Sequence, residues 1–274
     1  MRANCHIHAL FDGVDWKASI ARGVCDEHLH TMLRTYQEKG FVYLRDGGDR
    51  FSVSRRAREL AAHYGIRYRT PLSPLCKAGC YGAFIGTEWQ DLSHYARLVK
   101  QQKENGADFM KIMISGIMDF SEYGKLTQDG LSPWEIRQLV SIAHDLGLSV
   151  MAHCNGAKTA IAAAEAGVDS VEHGAYLNEE ALCAMAERNT IWCPTVSTVG
   201  NLLGKGRYPD AEVGKILDSF LENIARYKGY LAPGDDAGAW AVPHGCDTEE
   251  LWLSKAGISE SRLQEGIAQV VARF

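Results

Sequence analysis

The amino-acid sequence predicts one α/β domain, residues 1–274, built as a (β/α)8 TIM barrel. Three observations lead there. The chain has 274 residues, close to the ~250 that one such barrel needs. Short β-branched or apolar runs alternate with amphipathic helical segments, the pattern of a parallel sheet made of βαβ units. The alternation repeats eight times, and no linker, low-complexity tract or shorter repeat divides it.

The candidate strands lie near 3–8, 41–45, 66–69, 108–114, 148–152, 169–172, 191–194 and 230–235, each followed by a helical pattern. Helix punctuation supports this parse. Ser132-Pro133-Trp134-Glu135 supplies an N-cap, a proline at the first helical position and a capping-box acid, opening a helix expected to run to Leu146 before Gly147. Asn178-Glu179-Glu180 opens another. The clearest unit runs from Leu148 to Gly174: a strand, an alanine-rich helix over 157–166, a stop at Gly167 and a second strand.

Composition narrows the function classes. With 29 Lys+Arg against 34 Asp+Glu the net charge is −5, spread without like-charge blocks, so neither nucleic acid nor an acidic membrane surface is an expected partner. A small-molecule substrate is, and self-association into a homo-oligomer is left open. No apolar run approaches the ~18 residues of a membrane span, and the first twenty residues lack a basic-then-apolar signal pattern, so a cytoplasmic location is expected. The eight cysteines occur singly, which favours reduced thiols. Cys76 and Cys80 have no second pair at zinc-ribbon spacing.

Chemistry is expected where barrel strands end, because the C-terminal strand ends and the following loops build the site in such folds. His6 and His8 close the first strand; side chains two apart on a strand share a face and can chelate one metal ion. His28 and His30 have the same spacing inside a helical pattern, where i and i+2 diverge, and are expected at the surface. His153 and His173 end the two strands of the clear βαβ unit and should stand at the same height on neighbouring strands. Four histidines at one rim point to a metal, since neutral imidazole is its commonest ligand. Lys111 lies within an apolar strand buried on both faces, where an ordinary ammonium faces a large desolvation cost. Asp235 and Asp236 end the last strand, and alternation should send one of them inward. The same alternation turns Cys154 away from His153, against a Cys–His dyad, and no G-x-S-x-G elbow is present.

Taken in order, His6-Ile7-His8, Lys111-Ile112-Met113, His153, Glu172-His173-Gly174 and Asp236-Ala237-Gly238 resemble the amidohydrolase superfamily, in particular its imidazolonepropionase-like and prolidase-like metal-dependent members. The resemblance extends to non-catalytic text: Val42 to Gly48, Ala166 to Val171, and Pro243-His244-Gly245 ahead of Glu250-Leu251. It implies a distorted barrel with two divalent metal ions, usually Zn2+. His6 and His8 would hold one metal and His153 and His173 the other, Lys111 carboxylated by CO2 would bridge them, and Asp236 would complete the first metal's ligands and move protons. Asp236 is chosen over Asp235 because the family's acid directly precedes Ala-Gly, whereas Asp235 holds a position often taken by threonine.

Such relatives usually add a small β-sandwich from both chain ends. Here five residues precede His6 and one helix follows Gly257, so a compact barrel without the sandwich is expected. Asn155 stands where relatives often carry a second histidine. Tyr81, Tyr123, Asn155, Tyr176 and His244 are the loop residues expected to hold the substrate. The expected activity is hydrolysis of an amide bond in a small molecule such as a dipeptide, an N-acyl amino acid or a cyclic amide, by a hydroxide bridging the two metals. The alternatives are a lactonase or esterase on the same centre, or a non-catalytic metal- or ligand-binding barrel.

Overall fold

A computed structural model describes residues 1–274. The chain runs through β1 (Arg2–Ile7), α1 (Trp16–Arg22), α2 (Asp26–Glu38), β2 (Phe41–Asp46), α3 (Val53–Ala61), β3 (Arg67–Arg69), β4 (Leu75–Lys77), β5 (Thr87–Trp89) and α4 (Leu92–Glu104). It continues through β6 (Met110–Met113), α5 (Pro133–Asp145), β7 (Val150–Cys154), α6 (Ala157–Ala166), β8 (Ser170–His173), α7 (Glu179–Glu187), β9 (Ile191–Cys193), α8 (Ser197–Gly200), α9 (Asp210–Arg226), α10 (Thr248–Lys255) and α11 (Glu260–Arg273). No helix is long and apolar enough to cross a membrane.

All strand pairs are parallel: β1, β2 and β3 form one ladder, and β5, β4, β6, β7, β8 and β9 the other. Backbone bonds outside these ladders close the barrel. Asp108 N donates to Thr70 O between the third and fourth strand positions. The segment 230–237 joins the first and last: Ala232 N donates to Trp192 O on β9, and Cys5 N on β1 donates to Pro233 O. This eighth strand makes only isolated bridges, at Leu231 and Ala237. Its intermittent ladder follows from Pro233, which has no N–H to donate.

One departure from the expected elements shares that cause. The third strand position is split, with β3 pairing β2 below and β4 pairing β6 above. Pro71 and Pro74 separate the halves, and Leu72 between them adopts a left-handed φ of 65°. The strand β5, which pairs with β4 at this end, was not expected either.

Helices form where the sequence marks them. Ser132 and Glu135 make the reciprocal capping box on α5, and Asn178 accepts the Ala181 N–H at the start of α7. Apolar helix faces pack on the outside of the sheet in a layer that includes Leu139, Val150, Ala163, Val171 and Trp192. A smaller cluster fills the barrel floor: Cys5, Tyr43, Phe109, Met151, Cys193 and Ala232 from the strands, with Phe274 inserted from beyond α11. The Phe274 ring meets Phe109 edge-on at 5.2 Å and lies under the Arg45 guanidinium at 4.5 Å. The floor is closed, so any cavity must open at the opposite end, where the strand C-termini lie. All eight cysteines are free thiols.

Candidate metal centre

His6 and His8 stand where the period-2 rule puts them, on the inner face at the end of β1, with ring centroids 5.4 Å apart. His6 Nε2 lies 3.5 Å and His8 Nε2 3.4 Å from the same carboxylate oxygen, Asp236 Oδ1. Around a tetrahedral ion with ~2.0–2.1 Å bonds, ligand atoms sit ~3.3 Å apart. Gly47, at the end of β2, leaves room for the His8 ring, since a Cβ there would stand 2.3 Å from His8 Cε1.

Across the cavity, the His153 and His173 rings are 4.5 Å apart, and His173 is 5.1 Å from His6. The two do not stand at the same height as expected. The register pairs His153 with Glu172 and Cys154 with His173, one residue out of step. Strict alternation would then send Glu172 inward and His173 outward. His173 instead takes a left-handed φ of 67°, which breaks the period and turns both side chains in. Asp236 uses the same device, with φ 57°. Asp235 is buried on Asn4 Nδ2 (2.7 Å) and the Ala237 N–H (2.9 Å), while Asp236 faces the cavity. Cys154, by contrast, follows the alternation into the outer core.

Lys111 reaches the cavity from β6 and is 1% exposed. Its Nζ, together with His6 Nε2 and His8 Nδ1, is buried without a hydrogen-bond partner. Such orphans are costly unless something binds them. Burial pushes His8 and His153 down to about 3 and holds His6 and His173 well below the ordinary imidazole value, so all four rings are neutral at pH 7 and offer lone pairs. Burial likewise lowers the Lys111 amine and raises the Asp236 carboxyl. His6, His173 and Asp236 each offer a ligand atom within 4.8 Å of the others. The donor set therefore fits divalent metal.

A second layer orients these rings. His6 Nδ1 donates to Glu172 Oε2 at 2.7 Å, which leaves Nε2 on the Asp236 side. Glu172 is fixed from below by Arg45 at 2.9 Å and by the Ser170 hydroxyl, and both ion-pair partners are fully buried. His173 Nδ1 shares a 2.8 Å hydrogen bond with Thr195 Oγ1. His153 donates from Nε2 to the Gly116 carbonyl at 3.2 Å. Sequence reading gave Glu172, Arg45 and Thr195 no role. Glu172 was findable, as an acid on the inward face of a buried strand beside a ligand histidine.

The site opens into a cavity of about 610 Å³ whose wall is largely apolar and aromatic. Of the expected substrate residues, Tyr81 and Asn155 line it. The Tyr81 ring lies tilted against His153 at 4.7 Å. Asn155 ties loops together, donating to Gly116 O at 3.0 Å and accepting the Ala175 N–H at 2.8 Å. Tyr123 and Tyr176 lie outside the lining, packed edge-on against each other at 5.4 Å. His244 is also outside it, held by Tyr36 Oη (3.1 Å) and the Phe11 carbonyl (2.9 Å). Their loops do leave the correct barrel end, but each side chain finds a neighbour in its own layer. His28 and His30 are half-buried rather than surface residues; His30 hydrogen-bonds Tyr64 Oη at 2.7 Å.

Comparison with known proteins identifies the family and the fold. The model of the amidohydrolase family matches residues 3–206. Ochratoxinase of Aspergillus niger is 28% identical over 197 residues, 68% of this chain and 37% of that enzyme, so the match spans well under half of that relative's length. An uncharacterized protein of Mycobacterium tuberculosis is 26% identical over 268 residues, covering 88% of this chain and 69% of its own. Among solved structures, a Xaa-Pro dipeptidase with methionine bound in its active site superposes with TM-score 0.80 at 21% identity, over 99% of this chain and 75% of that one. At that identity the likeness establishes the barrel fold.

Proposed function

Since the chain belongs to the amidohydrolase family, we propose that it is a metal-dependent hydrolase that cleaves an amide bond in a small molecule such as a dipeptide, an N-acyl amino acid or a cyclic amide. One observation carries the proposal: His8, Lys111, His153, His173 and Asp236 line one cavity, His6 packs behind them 3.5 Å from Asp236, buried nitrogens among them lack partners, and burial keeps the four imidazoles neutral. The names of the similar proteins, an ochratoxinase and a Xaa-Pro dipeptidase, favour an amide substrate over a lactone or ester.

His6 and His8 would hold one ion and His153 and His173 the second, with Lys111, carboxylated by carbon dioxide, between them and Asp236 on the first. Two divalent ions, Zn2+ by preference of the donor set, would supply Lewis acidity and bring a water's pKa toward neutrality. The protein does the rest. Asp236 accepts a proton from the attacking water and delivers it to the departing nitrogen, so that the C–N bond breaks to an acid and an amine. Tyr81 packs on the His153 side of the cavity, whose wall is largely apolar.

The test is metal removal followed by a substrate panel. Dialysis against a chelator should abolish hydrolysis of dipeptides and N-acyl amino acids, and zinc with bicarbonate should restore it. Turnover that survives metal removal would overturn the proposal, and turnover of lactones alone would replace the amide with an ester reading.

Glu172 is a positioning residue in this scheme. Glu172→Gln should weaken zinc binding by the apoprotein about 10- to 100-fold in a chelator competition, because His6 loses the anion that fixes its tautomer. The single change also strands the buried Arg45 charge. The pair Arg45→Met/Glu172→Gln removes both charges and should show the same weakening with the fold intact. Unchanged zinc affinity in the pair would confine Glu172 to the floor of the barrel.

A further inference from the structure

Beyond the metal centre, the cavity wall has a chemistry of its own. Phe11, Trp16, Phe84, Phe120, Tyr208 and Trp240 form its outer part. They brace one another: Phe84 stacks on Phe11 at 6.3 Å and meets Trp16 edge-on at 6.0 Å, and Phe120 lies 5.0 Å from Tyr208. Trp16 and Phe84 are 50% and 36% exposed, so this aromatic surface is presented to whatever enters.

Arg207 stands within this wall, its side chain exposed. It and the deep Lys111 are the only Lys or Arg side chains lining the cavity. The Arg207 guanidinium lies over the Trp240 ring at 4.6 Å and the Tyr208 ring at 5.5 Å. No acidic side chain pairs with it within ion-pair distance among the salt bridges of the molecule. A guanidinium held by stacking keeps its in-plane N–H fork free, and that fork matches a carboxylate. Asp15, the acid on the same wall, is engaged in capping α1, accepting the Lys17 and Ala18 N–H groups at 2.9 and 3.1 Å.

We propose that Arg207 is a specificity residue that docks a free carboxylate of the substrate while the aromatic wall takes a large apolar side chain. This rests on the hydrolase reading and narrows it to amides of large apolar or aromatic amino acids whose carboxyl group is unblocked. A blocked, neutral analogue makes no ion pair with the guanidinium and binds less well.

Binding and cleavage should be measured separately on zinc-loaded protein with N-acetyl-L-phenylalanine and N-acetyl-L-phenylalaninamide, the first by tryptophan fluorescence titration and the second by product analysis. The wild type is expected to bind the acid about fivefold more tightly than the amide, the upper range for an exposed ion pair. Arg207→Gln should bring that ratio close to one, and Arg207→Lys should restore part of it. Equal binding of acid and amide by the wild type, or a ratio unchanged in Arg207→Gln, overturns the proposal. Acid-selective binding with no cleavage of any panel amide leaves the docking role standing and removes the hydrolase reading. Cleavage without acid selectivity does the reverse.

Discussion

Replacing Lys111 by methionine is expected to abolish hydrolysis and stabilise the metal-free protein at the same time. The side chains are of similar length, so the change removes charge and chemistry with little change of shape. An amine 1% exposed and without a partner is a liability in the apoprotein. Its replacement should raise the apoprotein Tm by a few degrees, as ~1 kcal/mol does for a domain of this size. The metal-loaded form should lose its bridging ligand. Zinc should fall below two per chain, and kcat/KM should drop by about 10³ or more, of the order attached to loss of an essential catalytic group. A Tm that rises while activity vanishes cannot be attributed to misfolding. Burial lowers the Lys111 pKa, which raises the fraction of free amine able to react with carbon dioxide. Reconstitution of the wild type should therefore respond to added bicarbonate, and that of the variant should not. Full metal content and full activity in Lys111→Met would remove the bridging assignment.

Asp236→Asn is the second large effect, and Asp235 is its internal control. Asp236 faces the cavity within 3.5 Å of both β1 histidines. An asparagine there can neither accept the water proton nor return it, so kcat should fall by about 10² to 10⁴. Asp235 is 2% exposed and holds Asn4 and the Ala237 N–H. Asp235→Asn should lower the Tm through the loss of that buried acceptor, with a much smaller change in kcat. The opposite pattern, with turnover lost in Asp235→Asn and kept in Asp236→Asn, would show that the acid was misassigned.

These residues also mark how far the sequence could be read. Strand positions were legible because apolar runs and caps are local: Ser132, Glu135 and Asn178 act within one helical turn. The histidines of β1 were legible because a strand alternates. Alternation alone could not place His173 or choose between Asp235 and Asp236, because both His173 and Asp236 depart from extended backbone at the strand end. The family motif supplied that choice. The split third strand was hidden by Pro71 and Pro74, which leave an apolar run that no ladder can follow continuously. Loop residues were hardest to place. Tyr123, Tyr176 and His244 were drawn from loops at the right barrel end, but whether such a side chain faces the cavity depends on its neighbours across the rim. Arg207 and Trp240 do face it and are 33 residues apart in sequence, with no local pattern linking them.

A two-metal site built by six side chains is tested by the transition-metal content of protein purified without chelator or histidine tag, measured by plasma mass spectrometry against protein concentration. The chain is expected to carry about two ions, and fewer when Lys111 is replaced by methionine. A chain that binds no metal, even after incubation with zinc and bicarbonate, would contradict it.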